Sequence, residues 1–326
     1  MKLRTALAAS LALACSFIAP AMASHTTAVG PLFNDATWYA DRPNFGIMSI
    51  SEAHLGPESD RYYDGYDGAW RLDVDGFSYA APSYGVVGTT VTGSPVSMSG
   101  VNVSMQYHFV PLSSVARILV TIQNPGEGAA SPTVRFFTNL GSDGSTAVQS
   151  TSSGDAVVTP ADRWFVSTEG VLPRFGDPII TTVTHGPGTP RVTPSVSQLP
   201  SGSDSVTTEF VMSVPAGQTR HLMLFAGLGG ITVADNLVPS ALAGAALFNS
   251  TTTLRAEWLS GMSATQQSQV VNWVLETFTT CAAEGFTGAK LTLCRSICDV
   301  DQPSSTLINR IKLYTAIYRQ APPCGL

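Results

Sequence analysis

The chain has 326 residues, 44% of them hydrophobic and only 12% charged, with 23 acids against 17 lysines and arginines. Charged residues are about half as common as the ~25% of an average globular domain, which excludes a charge-driven disordered chain, a coiled coil and a basic nucleic-acid binder. The length suffices for one large domain or two, with enough residues to bury a sizeable core.

Residues 1–23 read as a secretory signal. Lys2 and Arg4 supply the positive start, Thr5 to Ile18 the apolar stretch, and Ala21-Met22-Ala23 the small residues of a cleavage site. Ala12-Leu13-Ala14-Cys15 loosely mimics a lipobox, but Phe17-Ile18-Ala19-Pro20 continues the apolar run and favours cleavage after Ala23. The stretch is too short to span a bilayer, and no membrane span is expected elsewhere.

Residues 24–232 read as an antiparallel β-sandwich. Trp70, Leu72 and Val74 alternate with polar residues up to Asp75-Gly76, a two-residue hairpin signal, and Phe77 and Tyr79 resume the alternation as core residues. Val101, Val103, Met105, Tyr107 and Phe109 hold one phase for nine residues. Arg117–Gln123 and Thr133–Asn139 flank the turn at Asn124-Pro125-Gly126. Further strands are expected at Asp155–Thr159, Arg163–Ser167, Ile179–Thr184, Val206–Val214 and His221–Ala226. Strands at hairpin spacing without intervening helices argue for a sandwich rather than α/β.

Residues 233–278 read as helical and packed on the sandwich. Asp235–Phe248 and Thr253–Met262 are rich in Ala and Leu. Ser263-Ala264-Thr265-Gln266 has the form of a capping box, and Val270, Val271, Trp273, Val274 and Phe278 follow at helical spacing.

Residues 279–326 form a distinct module by composition. From Ser24 to Thr280 there are 10 Arg, no Lys and 20 acids, a net charge of −10, whereas the last 46 residues carry 5 basic and 3 acidic groups. Signal cleavage leaves Cys281, Cys294, Cys298 and Cys324, an even number that in an exported chain implies two disulfides. A four-thiolate zinc site would want a CxxC knuckle, which is absent. Helices over Gly288–Cys298 and Ser304–Gln320 would form a hairpin. Cys294 and Cys298 share one face of the first helix, which disfavours bonding them to each other. The antiparallel return favours Cys294–Cys324 with Cys281–Cys298.

The runs Tyr63-Asp64-Gly65-Tyr66-Asp67-Gly68-Ala69, Asn139–Thr146, Thr151–Asp155, Phe225-Ala226-Gly227-Leu228-Gly229 and the Trp273 segment resemble an uncharacterised family of exported bacterial β-sandwich proteins. The tail, with Leu293–Cys298 and Pro322-Pro323-Cys324, is similar to a short Cys-stapled ending found on various secreted bacterial proteins. The resemblance implies architecture and export and supplies no reaction. Related tails often carry additional cysteines, which leaves the pairing open.

No GxSxG elbow, HExxH, P-loop, GxGxxG or CxxCH motif occurs. Glu52, Glu58, Asp60, Asp64, Asp67, Asp73 and Asp75 crowd one segment, and Asp64 and Asp67, on a Gly-kinked turn, are candidate calcium ligands. The competing reading is that Asp-Gly pairs are turn chemistry, which suffices for Asp75-Gly76. Arg61, Tyr62, Tyr63 and Tyr66 are candidates for an exposed glycan-binding patch. His54 and His185 are candidate acid–base residues, the one beside the acidic segment and the other before Gly186-Pro187-Gly188. His108 and His221 fall within strand patterns and read as structural. The expected protein is therefore a secreted β-sandwich of binding or structural type, with a polysaccharide or cell-surface component as partner and calcium as the candidate cofactor. A secreted carbohydrate-active hydrolase or lyase with its site near 52–75 is the alternative.

Overall fold

The computed structural model describes residues 36–41, 47–55, 65–110, 113–142, 146–170, 177–231, 237–250, 254, 256–275, 288–290, 293–294 and 305–318. Residues 1–23, read from the sequence as a secretory signal, lie outside them.

Among the described residues sixteen strands run in chain order: β1 Ala36–Asp41, β2 Ser49–Leu55, β3 Arg71–Val74, β4 Phe77–Ser78, β5 Tyr84–Val87, β6 Thr90–Gly93, β7 Val96–Met98, β8 Val101–Phe109, β9 Val115–Gln123, β10 Thr133–Asn139, β11 Thr146–Thr151, β12 Trp164–Glu169, β13 Pro178–Val183, β14 Val196–Gln198, β15 Ser205–Val211 and β16 Thr219–Ile231. A five-stranded sheet has the order β14-β15-β10-β3-β4. A nine-stranded sheet has the order β11-β12-β13-β16-β9-β8-β6-β5, with β7 also on β8, and β1 and β2 pair as a hairpin. All pairings between these strands are antiparallel, as hairpin-spaced strands require.

The two large sheets bury one face each against the other. Phe136, Val134, Leu72, Val74, Val206 and Phe210 of the smaller sheet share one apolar cluster with Val103, Met105, Tyr107, Ile118, Val120, Leu222 and Leu224 of the larger. Strand alternation is visible in β10, where every second residue is buried, so the mainly antiparallel β-sandwich expected from the pattern is present. At the Asp75-Gly76 turn both φ values are positive, 51° and 83°, which supports the β3–β4 hairpin.

A second apolar cluster lies on the opposite face of the larger sheet. Trp164, Val166, Ile179, Val183, Met223 and Phe225 meet α1 (Leu237–Ala246) and the following segment. Phe248 stacks on Trp258 at 4.5 Å between centroids, and Phe225 packs edge-on to Trp273 at 5.5 Å. Strand β13 is therefore buried along its whole length and β12 at every residue but its last.

Four expectations need correction. Phe77 does not enter the core but is 66% exposed, because the short β4 lies at the sheet edge. The run Asp155–Thr159 is not a strand; the Asp155 carboxylate accepts from Thr151 Oγ1 and the Val157 amide and closes a turn. The segment Thr253–Met262 contributes a 3-10 turn, Ala256–Leu259, rather than an α-helix. The capping box is complete, Ser263 Oγ accepting from the Gln266 amide and Gln266 Oε1 from the Ser263 amide, but α2 (Ala264–Gln269) stops before the apolar stripe. Val270 is extended and bridges His221 in parallel, and Asn272 takes up backbone groups of β16, so pairing with the sheet outcompetes helical continuation.

In the C-terminal module α3 (Ser305–Tyr318) forms as expected, and Lys290 Nζ from the helical turn at 288–290 lies 5.2 Å from the Tyr318 ring centre. Cys294 is buried. Cys281, Cys298 and Cys324 lie outside the described residues, and so does the pairing. Among the described residues no helix is long and apolar enough to cross a membrane.

Candidate functional site

The outer face of the nine-stranded sheet divides into two halves. Over β12, β13 and part of β16 it is apolar and covered by α1 and the Phe248–Trp258–Trp273 cluster. Over β6, β8 and β9 it is polar. Strand β8 alternates between core residues and Asn102, Ser104, Gln106 and His108, of which the first three are half-buried. Opposite them stand Thr90 and Thr92 on β6, and Arg117, Leu119, Thr121 and Gln123 on β9, Leu119 being buried in the apolar cluster of the covered half. Apart from Arg117 and Leu119, these side chains are amides, hydroxyls and imidazole.

Cross-strand hydrogen bonds order this surface. Asn102 Nδ2 donates to Gln123 Oε1 at 3.5 Å and Gln106 Nε2 to Thr92 Oγ1 at 3.1 Å. Thr90 Oγ1 lies 2.8 Å from His108 Nδ1, and Thr121 Oγ1 lies 3.0 Å from His221 Nδ1. His221 Nε2 reaches Gln269 Oε1 of α2 at 3.2 Å, so the helix end closes one side of the polar area. Such pairs fix rotamers without consuming every donor and acceptor.

Arg117 sits where the covered and polar halves meet and is 1% exposed. Its Nη1 donates to the carbonyl oxygens of Trp258 and Ser260, both at 2.8 Å, and Nη2 donates to Gln106 Oε1 at 3.4 Å. Nε is buried without a partner. Burial lowers its pKa to about 10, which leaves it cationic near neutrality. His108, its cross-strand neighbour, is lowered to about 4, chiefly by burial and then by the Arg117 charge, and is neutral at pH 7.

Of the candidate metal-binding, glycan-binding and acid–base residues, side chains are described for Tyr66, Asp67 and His185. Tyr66 is fully buried rather than exposed. Its ring stacks on Trp38 at 6.0 Å, its hydroxyl donates to the Thr181 carbonyl, and burial raises its pKa. Asp67 is exposed. Asp64, Arg61, Tyr62 and Tyr63 lie outside the described residues, as do Glu58 and Asp60, and among the described residues no group of three or more His, Cys, Asp or Glu side chains could hold a metal. Asp75 accepts from the Thr133 amide and Asp73 from Ser78, which is turn and edge chemistry. His54 is a β2 residue in register with Thr37.

His185 is buried just past β13, its Nδ1 3.0 Å from Thr184 Oγ1. Its pKa falls to about 4 through burial and then the Arg163 charge, with Asp162 opposing. A proton acceptor that weak is a poor general base at neutral pH. The Asp162 carboxylate is itself committed to the Ser153 and Thr159 amides and the Thr159 hydroxyl. The polar half-face was missed because His108 reads as structural within its strand; the available signal was a lone arginine inside the apolar run Arg117–Gln123.

No protein-family model matches this sequence, and no curated protein does. Among solved structures, similar chain paths occur in a TPR-domain containing protein from Parabacteroides distasonis (8% identity, TM-score 0.41, covering 62% of this chain and 46% of that one). They also occur in a galactose mutarotase-like protein from Lactobacillus casei (10% identity, TM-score 0.37, 62% and 99%) and in a polysaccharide lyase (9% identity, TM-score 0.38, 64% and 34%). The chain thus spans less than half the length of the first and the last of these. Likeness at this level bears on the path of the chain and not on its chemistry.

Proposed function

We propose that this protein is an exported glycan-binding β-sandwich, and that it holds its ligand on the polar half of the outer sheet face. The observation that carries the reading is the row Asn102, Ser104, Gln106 with Thr92, Thr121 and Gln123, a broad, half-open surface of uncharged hydrogen-bonding groups on a rigid sheet. Sugar hydroxyls both donate and accept, and side-chain amides and hydroxyls match them without the desolvation cost of charged groups. The secretory signal read at 1–23 supports placement outside the cytoplasm, where polysaccharide is met. His185 is a poor acid–base residue for a hydrolase or lyase, being buried with its pKa lowered to about 4 beside a fully engaged Asp162, while the segment 52–75 that the enzyme reading would use lies partly outside the described residues.

The test is a panel of neutral and uronate-containing polysaccharides read by affinity electrophoresis and, in parallel, for released reducing ends. Retention by at least one polymer without product release is expected. The double variant Asn102→Ala/Gln123→Ala should weaken that retention about tenfold, the loss of two hydrogen bonds of about 0.5–1.5 kcal/mol each. No retention across the panel, or undiminished retention by the double variant, refutes the site.

A further inference from the structure

Arg135 on β10 shows how this chain satisfies a guanidinium. Its Nε and Nη2 both donate to Glu209 Oε2, at 2.9 and 2.6 Å, so the Nε/Nη2 edge grips a carboxylate. In Arg117 the same edge has no carboxylate among the described residues. Nε is unpartnered and Nη2 makes one long bond to Gln106. The Nη1 end is saturated by the Trp258 and Ser260 carbonyls, which fixes the open edge in place. Beside it His108, 6% exposed, has Nδ1 engaged by Thr90 and Nε2 buried without a partner. With the Thr90 hydroxyl donating to Nδ1, Nε2 carries a proton and is a further donor. A buried guanidinium with an unmet donor edge leaves both desolvation and charge uncompensated, and an anionic ligand would supply both.

We propose that the Nε/Nη2 edge of Arg117, with His108 Nε2, is a subsite for the carboxylate of an acidic sugar, and that the half-buried Gln106 side chain covers it and swings aside when a uronate residue binds. This rests on the glycan-binding reading and adds the ligand's chemical class: a polysaccharide containing uronic acid. The Gln106 amide imitates a carboxylate poorly, offering one oxygen at 3.4 Å where Glu209 approaches Arg135 at 2.6 Å. The face contributes no carboxylate of its own to repel the ligand, since its residues on β6, β8 and β9 include no Asp or Glu.

Removing Arg117 also releases the Trp258–Ser260 segment, so the discriminating variant is Gln106→Glu, which places a tethered carboxylate on the Arg117 edge. The full-length exported chain is melted with D-glucuronate and with D-glucose, and tested for retention on polygalacturonate and on its carboxyl-reduced, neutral form. At about tenfold the dissociation constant, glucuronate should raise the native melting temperature by about 2–3 °C. Glucose should not. Gln106→Glu should melt no lower than the native protein, show no glucuronate shift, and lose any preference for polygalacturonate over the reduced polymer. A glucuronate shift equal in native and variant, or absent from the native protein, overturns the subsite even if neutral polymers bind. A shift present in the native protein and lost in the variant, with no polymer retained, upholds the subsite and refutes the glycan-surface reading instead.

Discussion

Replacing Asn272 by alanine tests how the sandwich is joined to its covering layer. Strands β13 and β16 pair only as far as Val183 and Phe225 and then diverge. Asn272 fills the gap. Its Oδ1 accepts from the Met223 amide at 2.9 Å, and its Nδ2 donates to the carbonyls of Thr184 at 2.9 Å and Met223 at 2.7 Å. It is fully buried, so water cannot substitute for these bonds. In Asn272→Ala the Met223 carbonyl keeps a donor, Trp273 Nε1 at 2.7 Å, but the Met223 N–H and the Thr184 carbonyl lose theirs. Two orphaned buried backbone groups at about 1–3 kcal/mol each give an expected loss of about 4 kcal/mol. For a chain of this length that corresponds to a melting temperature lower by about 6–8 °C. Urea unfolding should show the midpoint shift with an unchanged slope, and hydrogen exchange should show the Met223 amide losing protection. Asn272→Asp keeps the acceptor but turns an oxygen toward two carbonyls, and should be at least as damaging at pH 7. A loss below about 1 kcal/mol, or unchanged exchange at Met223, would refute the claim that this side chain stands in for missing strand pairing.

Protonation gives an independent test. His108 and His185 titrate near 4 when folded against an ordinary 6.5, and His221 is also lowered by burial, so the unfolded chain binds more protons between those values. Their contribution is complete above pH 6.5 and is lost as pH falls toward 4; near pH 5.5 unfolding should take up about two protons, and His185→Gln should remove about one, read from urea midpoints against pH. A stability flat from pH 6.5 to 4.5 would contradict the burial of these rings. Gly186→Ala would put a Cβ 2.4 Å from Trp273 Cε3, against a ring held by its hydrogen bond to Met223 and by Phe225 and Phe248. It should cost about 1–3 kcal/mol and shift tryptophan emission, whereas Gly85→Ala, which meets nothing within 4 Å, should do neither. Ser263→Ala should cost about 1 kcal/mol in thermal melts by breaking the capping box, and an effect below about 0.3 would show that the box is not holding α2.

Much of the sandwich was legible because it is local. Residues Val101–Phe109 and Thr133–Asn139 alternate strictly, and strand geometry turns that alternation directly into β8 and β10. Asp75-Gly76 and the Ser263–Gln266 box likewise act through backbone neighbours, and both appear as expected. The stripe Val270–Phe278 misled because apolar spacing records which residues are buried and not what they are buried by. Here Val270, Val271 and Trp273 are buried, but against the sheet from a bent, non-helical segment.

The candidate site was legible only in part. The acidic, tyrosine-rich stretch drew attention by composition, yet Tyr66 is drawn into the core beside Trp38. Arg117 and His108, nine positions apart in sequence, face each other because β8 and β9 pair antiparallel, and the carbonyls that hold Arg117 come from residues 258 and 260. By itself the sequence determined the long strands β8, β9, β10, β12, β13, β15 and part of β16, the Asp75-Gly76 turn, the low charge of the sandwich and the compositionally distinct tail, all properties of neighbours along the chain, but not the hairpin β1–β2 or the shorter strands β5–β7, β11 and β14. Only the tertiary structure decided which half of the larger sheet is covered by the helical layer and which is left polar, because that depends on contacts between segments separated by 49, 85 and 141 residues of chain.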